Sequence, residues 1–252
     1  MVRAFGNDRN CHCPDPTGTG FFLVTDFKYC VPSTRSSQPS SLHMHPPRDF
    51  LLSALWRVFI ATLAILCSVP GASAGNFSRV VIDPGHGGED RGGRTGKVYE
   101  KHLALDTALR LEHYLVASGY RVTMTRKSDT FISLSRRAAI GNRYRGAIFV
   151  SLHYNYTWKR SVSGLETYYY NAKSKSLAEA IQAGMLRRVR ASNRGVKFGR
   201  YHVLRASRNP AVLVECGFVS NSRERSRMKK GAYRDAVARG IAEGIANYKL
   251  AR

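Results

Sequence analysis

Four side chains in this sequence are of the types used in hydrolytic metal chemistry, and each stands beside the end of an expected strand. His86 lies in the turn Asp83-Pro84-Gly85-His86-Gly87-Gly88, directly after the apolar residues Val80, Val81 and Ile82. Glu100 follows fourteen residues later, just ahead of a helical pattern. His153 closes the run Phe149-Val150-Ser151-Leu152, and Glu215 directly follows Ala211-Val212-Leu213-Val214. In open α/β sheets, sites assemble at the carboxyl ends of strands. Two imidazoles and one carboxylate form a catalytic zinc set with a fourth position left open. A second carboxylate nearby can move a proton during hydrolysis. Each residue also has a plainer explanation. The histidines fit as turn or strand-end residues, and Glu100 fits as a favourable charge at a helix N-terminus. Glu215 resists this treatment best, because a carboxylate after four apolar strand residues is expected to be buried and needs a cation or hydrogen-bond partners.

The elements that must position these residues follow from periodicity. Apolar spacing predicts helices over 103–116, 134–144, 177–189 and 233–248. Short apolar or alternating runs predict strands over 79–83, 121–125, 147–152, 164–170, 201–204 and 211–214. Asn221-x-x-Glu224 has the form of a capping box. Strands and helices alternate with no linker or repeat. The expected fold is therefore a single α/β domain with a mixed, mostly parallel central sheet and helices on both faces.

The first part of the chain has a different character. Residues 51–69 are almost wholly apolar, broken by Arg57, with an uninterrupted core over 58–69 and Ala72-Ser73-Ala74 behind it. A basic flank, a short apolar core and an Ala-x-Ala end form a secretory signal peptide over 44–74. The uninterrupted core is short for a span, which needs roughly 20 apolar residues; an uncleaved anchor counted from Leu51 is the alternative. Residues 1–43 read as an unstructured leader, with Met44 as the expected true start, and 75–252 as the catalytic domain. Cys11, Cys13, Cys30 and Cys67 all precede Ala74, so cleavage leaves Cys216 as the one thiol. The alternation of a strand points it away from Glu215, as a packing residue.

In their order along the chain, these pieces resemble the zinc-dependent N-acetylmuramoyl-L-alanine amidases, hydrolases of the cell wall. The matching segments are VVIDPGHGG (80–88), Glu100-Lys101, GYRVTMTR (119–126), Leu134…Arg137…Asn142, FVSLHYN (149–155), YHVLR (201–205) and PAVLVECGFVSN (210–221). The resemblance implies that His86, Glu100 and His153 hold Zn2+ and that Glu215 is the catalytic carboxylate. It implies hydrolysis of the amide between N-acetylmuramic acid and L-alanine in peptidoglycan, with release of stem peptides. Substrate-binding residues are not assigned by it; Glu166 reads as a second site carboxylate or equally as a sheet-face residue, and Asn155 as a substrate contact or, at least as well, as a cap at a strand end. His102, His113 and His202 fall outside the ligand motifs and read as structural or surface residues. Some relatives carry a helical plug after the strand at 164–170; here the next helix follows at once, so the site is expected to be open.

Charge bounds the partners. The chain carries 40 Lys and Arg against 17 Asp and Glu, a net charge of +23. Residues 75–252 keep 34 of the basic and 13 of the acidic residues, so the surplus of 21 belongs to the expected exported domain. Such a domain should meet an anionic polymer. Export, and the lack of a zinc-finger or RNA-recognition signature, argue against nucleic acid and for the periplasm or cell wall. Arg187, Arg188, Arg190, Arg194, Lys197 and Arg200 form a candidate wall-binding patch, or else a solvated face. The domain is expected to act as a monomer without a membrane span. Two rival functions remain open: a catalytically silent peptidoglycan-binding module, and a zinc carboxypeptidase acting on the stem peptide.

Overall fold

The structure, a computed structural model, describes residues 77–251. The expected leader, signal peptide and Met44 start lie outside the described residues. Six strands build one sheet: β1 (Arg79–Pro84), β4 (Arg121–Met124), β5 (Ala147–Asn155), β6 (Leu165–Tyr169), β7 (Asn193–Phe198) and β8 (Ala211–Phe218). Their spatial order is β4-β1-β5-β8-β6-β7. All neighbours run parallel except β8 and β6, which are antiparallel. A two-stranded hairpin, β2 (Arg94–Thr95) and β3 (Val98–Tyr99), stands apart from the sheet.

The central strands are apolar without interruption because both of their faces are covered. Val80, Ile82, Ile148, Val150, Leu152, Val212, Val214 and Cys216 join a large core under α1 (Glu100–Ala117), α3 (Ala172–Arg188) and α6 (Gly231–Leu250). The alternate residues Val81, Ala147, Phe149, Ala211 and Leu213 form a smaller core on the opposite face. That face is covered by α2 (Leu134–Asn142) and α4 (His202–Arg205). A further short helix, α5 (Ser222–Met228), precedes α6 and is capped by Asn221, whose side chain accepts from Glu224 N. The expected fold is thus observed as a six-stranded, mixed, mostly parallel α/β sheet. Among the described residues no helix is long and apolar enough to cross a membrane.

Two expectations need correction. Residues 201–204 do not form a strand. Val203 and Leu204 are adjacent and both buried, as a helical turn allows and an alternating strand does not, and they lie in α4. The sixth strand is instead β7, hidden in the basic segment Asn193-Arg-Gly-Val-Lys-Phe. As an edge strand it is only half-buried and has no apolar run to announce it. Elsewhere β5 and β8 run beyond their apolar stretches, carrying His153 and Glu215 inside the sheet rather than after it.

Candidate active site

Three neighbouring strands deliver the site. Register places Pro84 of β1 beside Leu152 of β5, and His153 of β5 beside Glu215 of β8. The chain leaves β1 in a tight loop, and Gly85 lets it pass against His153: a Cβ on Gly85 would lie 2.4 Å from His153 Cε1. His86 adopts φ 59°, the only non-glycine residue with positive φ among those described. The hairpin β2–β3 then leads into α1, of which Glu100 is the first residue.

These elements bring His86, Glu100 and His153 together, with one ligand atom from each lying within 4.8 Å of the others. Glu100 Oε1 accepts from His153 Nδ1 at 2.8 Å and from the Tyr154 backbone N–H at 3.0 Å. Glu100 Oε2 lies 3.1 Å from His86 Nε2 and accepts from Gly93 N–H at 2.7 Å. Asp90 Oδ2 meets the other ring nitrogen, His86 Nδ1, at 2.8 Å and fixes the ring's orientation. Burial works to raise the Glu100 pKa, yet the hydrogen bonds and charges of His153 and His86 outweigh it and hold the carboxyl well below its ordinary range. For His86, burial opposes protonation, but Glu100 and Asp90 together raise its pKa. The cluster therefore sets the carboxylates of Glu100 and Asp90 against two imidazoles, a setting that favours a bound cation.

Glu215 is not one of the three, although it neighbours His153 in the strand register. It is 6 % exposed, and its Oε2 is buried with no hydrogen-bond partner. Burial, with the charges of Glu100 and Glu166, pushes its pKa well above the usual carboxylate value. An unpartnered buried carboxylate oxygen beside an anionic two-histidine cluster fits a centre built around a divalent cation and a reactant. All four residues line one cleft of about 390 Å³, whose walls also include Leu134, Asn155, Tyr156, Tyr201, Val203 and Leu213. A larger depression of about 700 Å³, lined by Ser161, Ser192, Arg190, Arg223 and Arg227, holds none of them.

Other expectations sort themselves around this cleft. Cys216 points away from Glu215 into the main core. His102 and His113 are exposed and outside the cleft, whereas His202 is half-buried, bonds Ser135 Oγ at 3.2 Å and forms part of the cleft wall. Only Tyr170 and Asn171 separate β6 from α3, which leaves no room for a plug. The candidate basic patch is divided: Arg188 pairs with Glu243, while Arg194 and Lys197 both bind Glu166. Sequence reasoning gave no role to Asp90, Asp83, Arg126 or Arg137. Asp83 carried the same signal as Glu215, an acid directly after a buried apolar run.

The N-acetylmuramoyl-L-alanine amidase family model (Amidase_3) matches residues 80–247. Among curated proteins, the chain is 37% identical over 173 residues to N-acetylmuramoyl-L-alanine amidase LytC of Bacillus subtilis, covering 67% of this chain and 35% of that protein. It is 34% identical over 172 residues to the probable cell wall amidase LytH of Staphylococcus aureus, covering 67% of this chain and 57% of that one. The chain thus spans about a third to just over half the length of these relatives. Among solved structures, an N-acetylmuramoyl-L-alanine amidase from Clostridium difficile 630 superposes with a TM-score of 0.66 at 37% identity, covering 69% of this chain and 97% of that one. The catalytic domain of CwlV from Bacillus (Paenibacillus) polymyxa gives 0.66 at 36%, covering 68% and 98%. The matched segment holds every residue of the cleft, and on that ground the chain belongs to the N-acetylmuramoyl-L-alanine amidase family.

Proposed function

We propose that the chain is a zinc-dependent amidase that cleaves the bond between N-acetylmuramic acid and L-alanine in peptidoglycan. The observation that carries this reading is the pairing of a His–Glu–His cluster with a buried, unpartnered Glu215 Oε2 in the same cleft. His86, Glu100 and His153 would hold the zinc. Bound there, it would supply Lewis acidity to the amide carbonyl and to the attacking water. Glu215 takes the water's proton on its free oxygen and returns it to the departing amine of L-alanine. Its burial with one oxygen unpartnered suits this task, because that oxygen is left available to gain and release the proton. Asp90 and the backbone N–H groups of Gly93 and Tyr154 keep His86 and Glu100 in place throughout.

Export through a signal peptide over 44–74, with Met44 as the start and Gly75 as the first mature residue, fits an enzyme that works on the wall. N-terminal sequencing of the exported protein tests that part. The activity is tested by mass spectrometry of the products released from purified peptidoglycan by the zinc-loaded protein. Complete stem peptides with a free L-alanine amine support the proposal. Single terminal amino acids would make it a carboxypeptidase, and binding without release would make it a silent wall-binding module.

A further inference from the structure

Behind the cleft residue Asn155 lies a second charged cluster that the hydrolytic step does not use. Glu166 of β6 lies directly opposite Glu215 of β8 in the antiparallel register, so both side chains occupy one face of the sheet. Glu166 is 2 % exposed and its carboxylate is saturated from four directions. Oε1 accepts from Asn155 Nδ2 and Tyr168 OH, each at 2.8 Å. Oε2 accepts from Arg194 Nε at 2.8 Å and Lys197 Nζ at 2.5 Å.

That arrangement needs a deliberate backbone device. Arg194 and Lys197 are three residues apart on β7, and in a regular strand they would face opposite sides of the sheet. Gly195 lies between them at φ 81°, and the register with β6 shifts between Leu165 and Thr167. A Cβ on Gly195 would meet nothing within 4 Å, so glycine is required there by backbone conformation and not by space. The irregularity turns both cations onto the face of Glu166, and bulges of this kind re-aim side chains next to active sites.

Two cations on one carboxylate leave a surplus of one positive charge beside the cleft. Glu166 engages only Nε of Arg194, which leaves the two terminal nitrogens of the guanidinium for an outside acceptor. Glu224, the other acid near Arg194, already accepts backbone N–H groups of Gly164 and Phe218, one on each oxygen. Arg194 and Lys197 remain about a third exposed, with side-chain values of 34% and 37%. Arg194 rests over the Phe218 ring at 5.1 Å. Lys197 lies over Tyr168, which packs edge-on against the cleft residue Tyr201. Asn155 lines the cleft and bonds Glu166, so the two clusters share a wall.

We propose that Arg194 and Lys197, anchored on Glu166, form a carboxylate-binding subsite at the edge of the cleft that receives an acidic group of the substrate's stem peptide. The inference rests on the amidase reading and adds a substrate preference to it. A fixed guanidinium with two parallel N–H donors matches a carboxylate in shape and charge.

The test is steady-state hydrolysis, by the zinc-loaded full chain, of a soluble muramoyl peptide with free carboxylates. The comparison is the same compound with those groups converted to carboxamides. The expected result for the unaltered protein is a KM about fivefold to tenfold lower for the carboxylate form at similar kcat, the scale of one charge-assisted hydrogen bond at a partly exposed site. Arg194→Gln and Lys197→Met, made singly, should each raise KM for the carboxylate form and leave KM for the carboxamide form where it was. Equal KM values for the two compounds in the unaltered protein overturn the subsite while the amidase reading stands, and this arm does not depend on the variants folding. A preference that survives both substitutions also overturns it. Cleavage of neither compound overturns the amidase reading, and the subsite with it.

Discussion

Arg137 and Asp83 form a buried ion pair, 2.9 Å from Nη1 to Oδ1, behind the loop that carries His86. The same guanidinium donates to the carbonyls of Pro84 and His86, each at 2.6 Å, and to Ile132 at 2.8 Å. Asp83 also accepts from Thr125 and Ser151 hydroxyls at 2.6 and 2.8 Å. Arg126 adds donors to Pro84 and Gly85 at 3.0 and 2.7 Å. Left-handed backbone at a non-glycine residue costs roughly 1–2 kcal/mol, and these arginines hold His86 in it. Arg137→Met should therefore lower unfolding stability by about 3–5 kcal/mol, because it leaves the buried Asp83 carboxylate without its cation and the carbonyls of His86 and Ile132 without their side-chain donor. Urea denaturation of the metal-free protein measures this, and a loss below about 1 kcal/mol would contradict the argument.

A second prediction concerns the close passage of Gly85 against His153. Gly85→Ala places a methyl group within the imidazole and so must displace the ring, at Nε2 and Nδ1 as well as Cε1. Zinc affinity should fall by about 10- to 100-fold, the scale on which disturbed supports weaken metal sites. Competition with a chromogenic chelator reads the affinity directly. Thermal denaturation without metal should change much less, since the substitution removes no core contact.

How much of this was legible depended on what surrounds each residue. The strands β1, β5 and β8 announce themselves because both faces are buried and their apolar runs are unbroken. His86, His153 and Glu215 stood out for the complementary reason: each is a polar residue at the limit of such a run. Arg126 and Arg137 did not, because in a chain with 40 Lys and Arg the residue type predicts solvent. Their burial follows from carbonyls that only the folded loop turns inward. The edge strand β7 was unreadable for a related reason. Its Arg194 and Lys197 look like part of a basic patch until Gly195 brings both onto Glu166.

Glu215→Gln should separate chemistry from metal binding. The amide keeps the shape of the side chain and leaves His86, Glu100 and His153 untouched, so zinc content by elemental analysis should stay at the unaltered level. Hydrolysis should fall by about 10²- to 10⁴-fold, the usual contribution of a positioned general base. In the metal-free protein the substitution should also change the pH profile of stability. Burial, then the charges of Glu100 and Glu166, raise the folded pKa of Glu215 above its ordinary 4.5. An acid with a raised folded pKa contributes its full share below the ordinary value and loses it as pH rises. Unaltered protein should therefore lose stability relative to the variant as pH climbs from about 4.5 toward neutrality. Parallel profiles in chemical denaturation would refute the burial of that charge.

Glu166 should show the opposite sign. Burial works to raise its pKa, but hydrogen bonds from Lys197, Arg194 and Tyr168 outweigh this and hold it below its ordinary value of 4.5. A depressed folded pKa stabilises the protein above the ordinary value, and that stability is lost as pH falls through the folded one. The stability gap between unaltered protein and Glu166→Gln should therefore be greatest above pH 4.5 and close on acidification. High salt should leave most of the gap in place, because the carboxylate itself is out of reach of solvent and screening acts mainly on exposed charges. Denaturant titrations across the acid range, at low and high salt, measure both effects. A gap that does not vary with pH would mean that Glu166 is held by shape alone, and that Arg194 and Lys197 are not anchored by its charge.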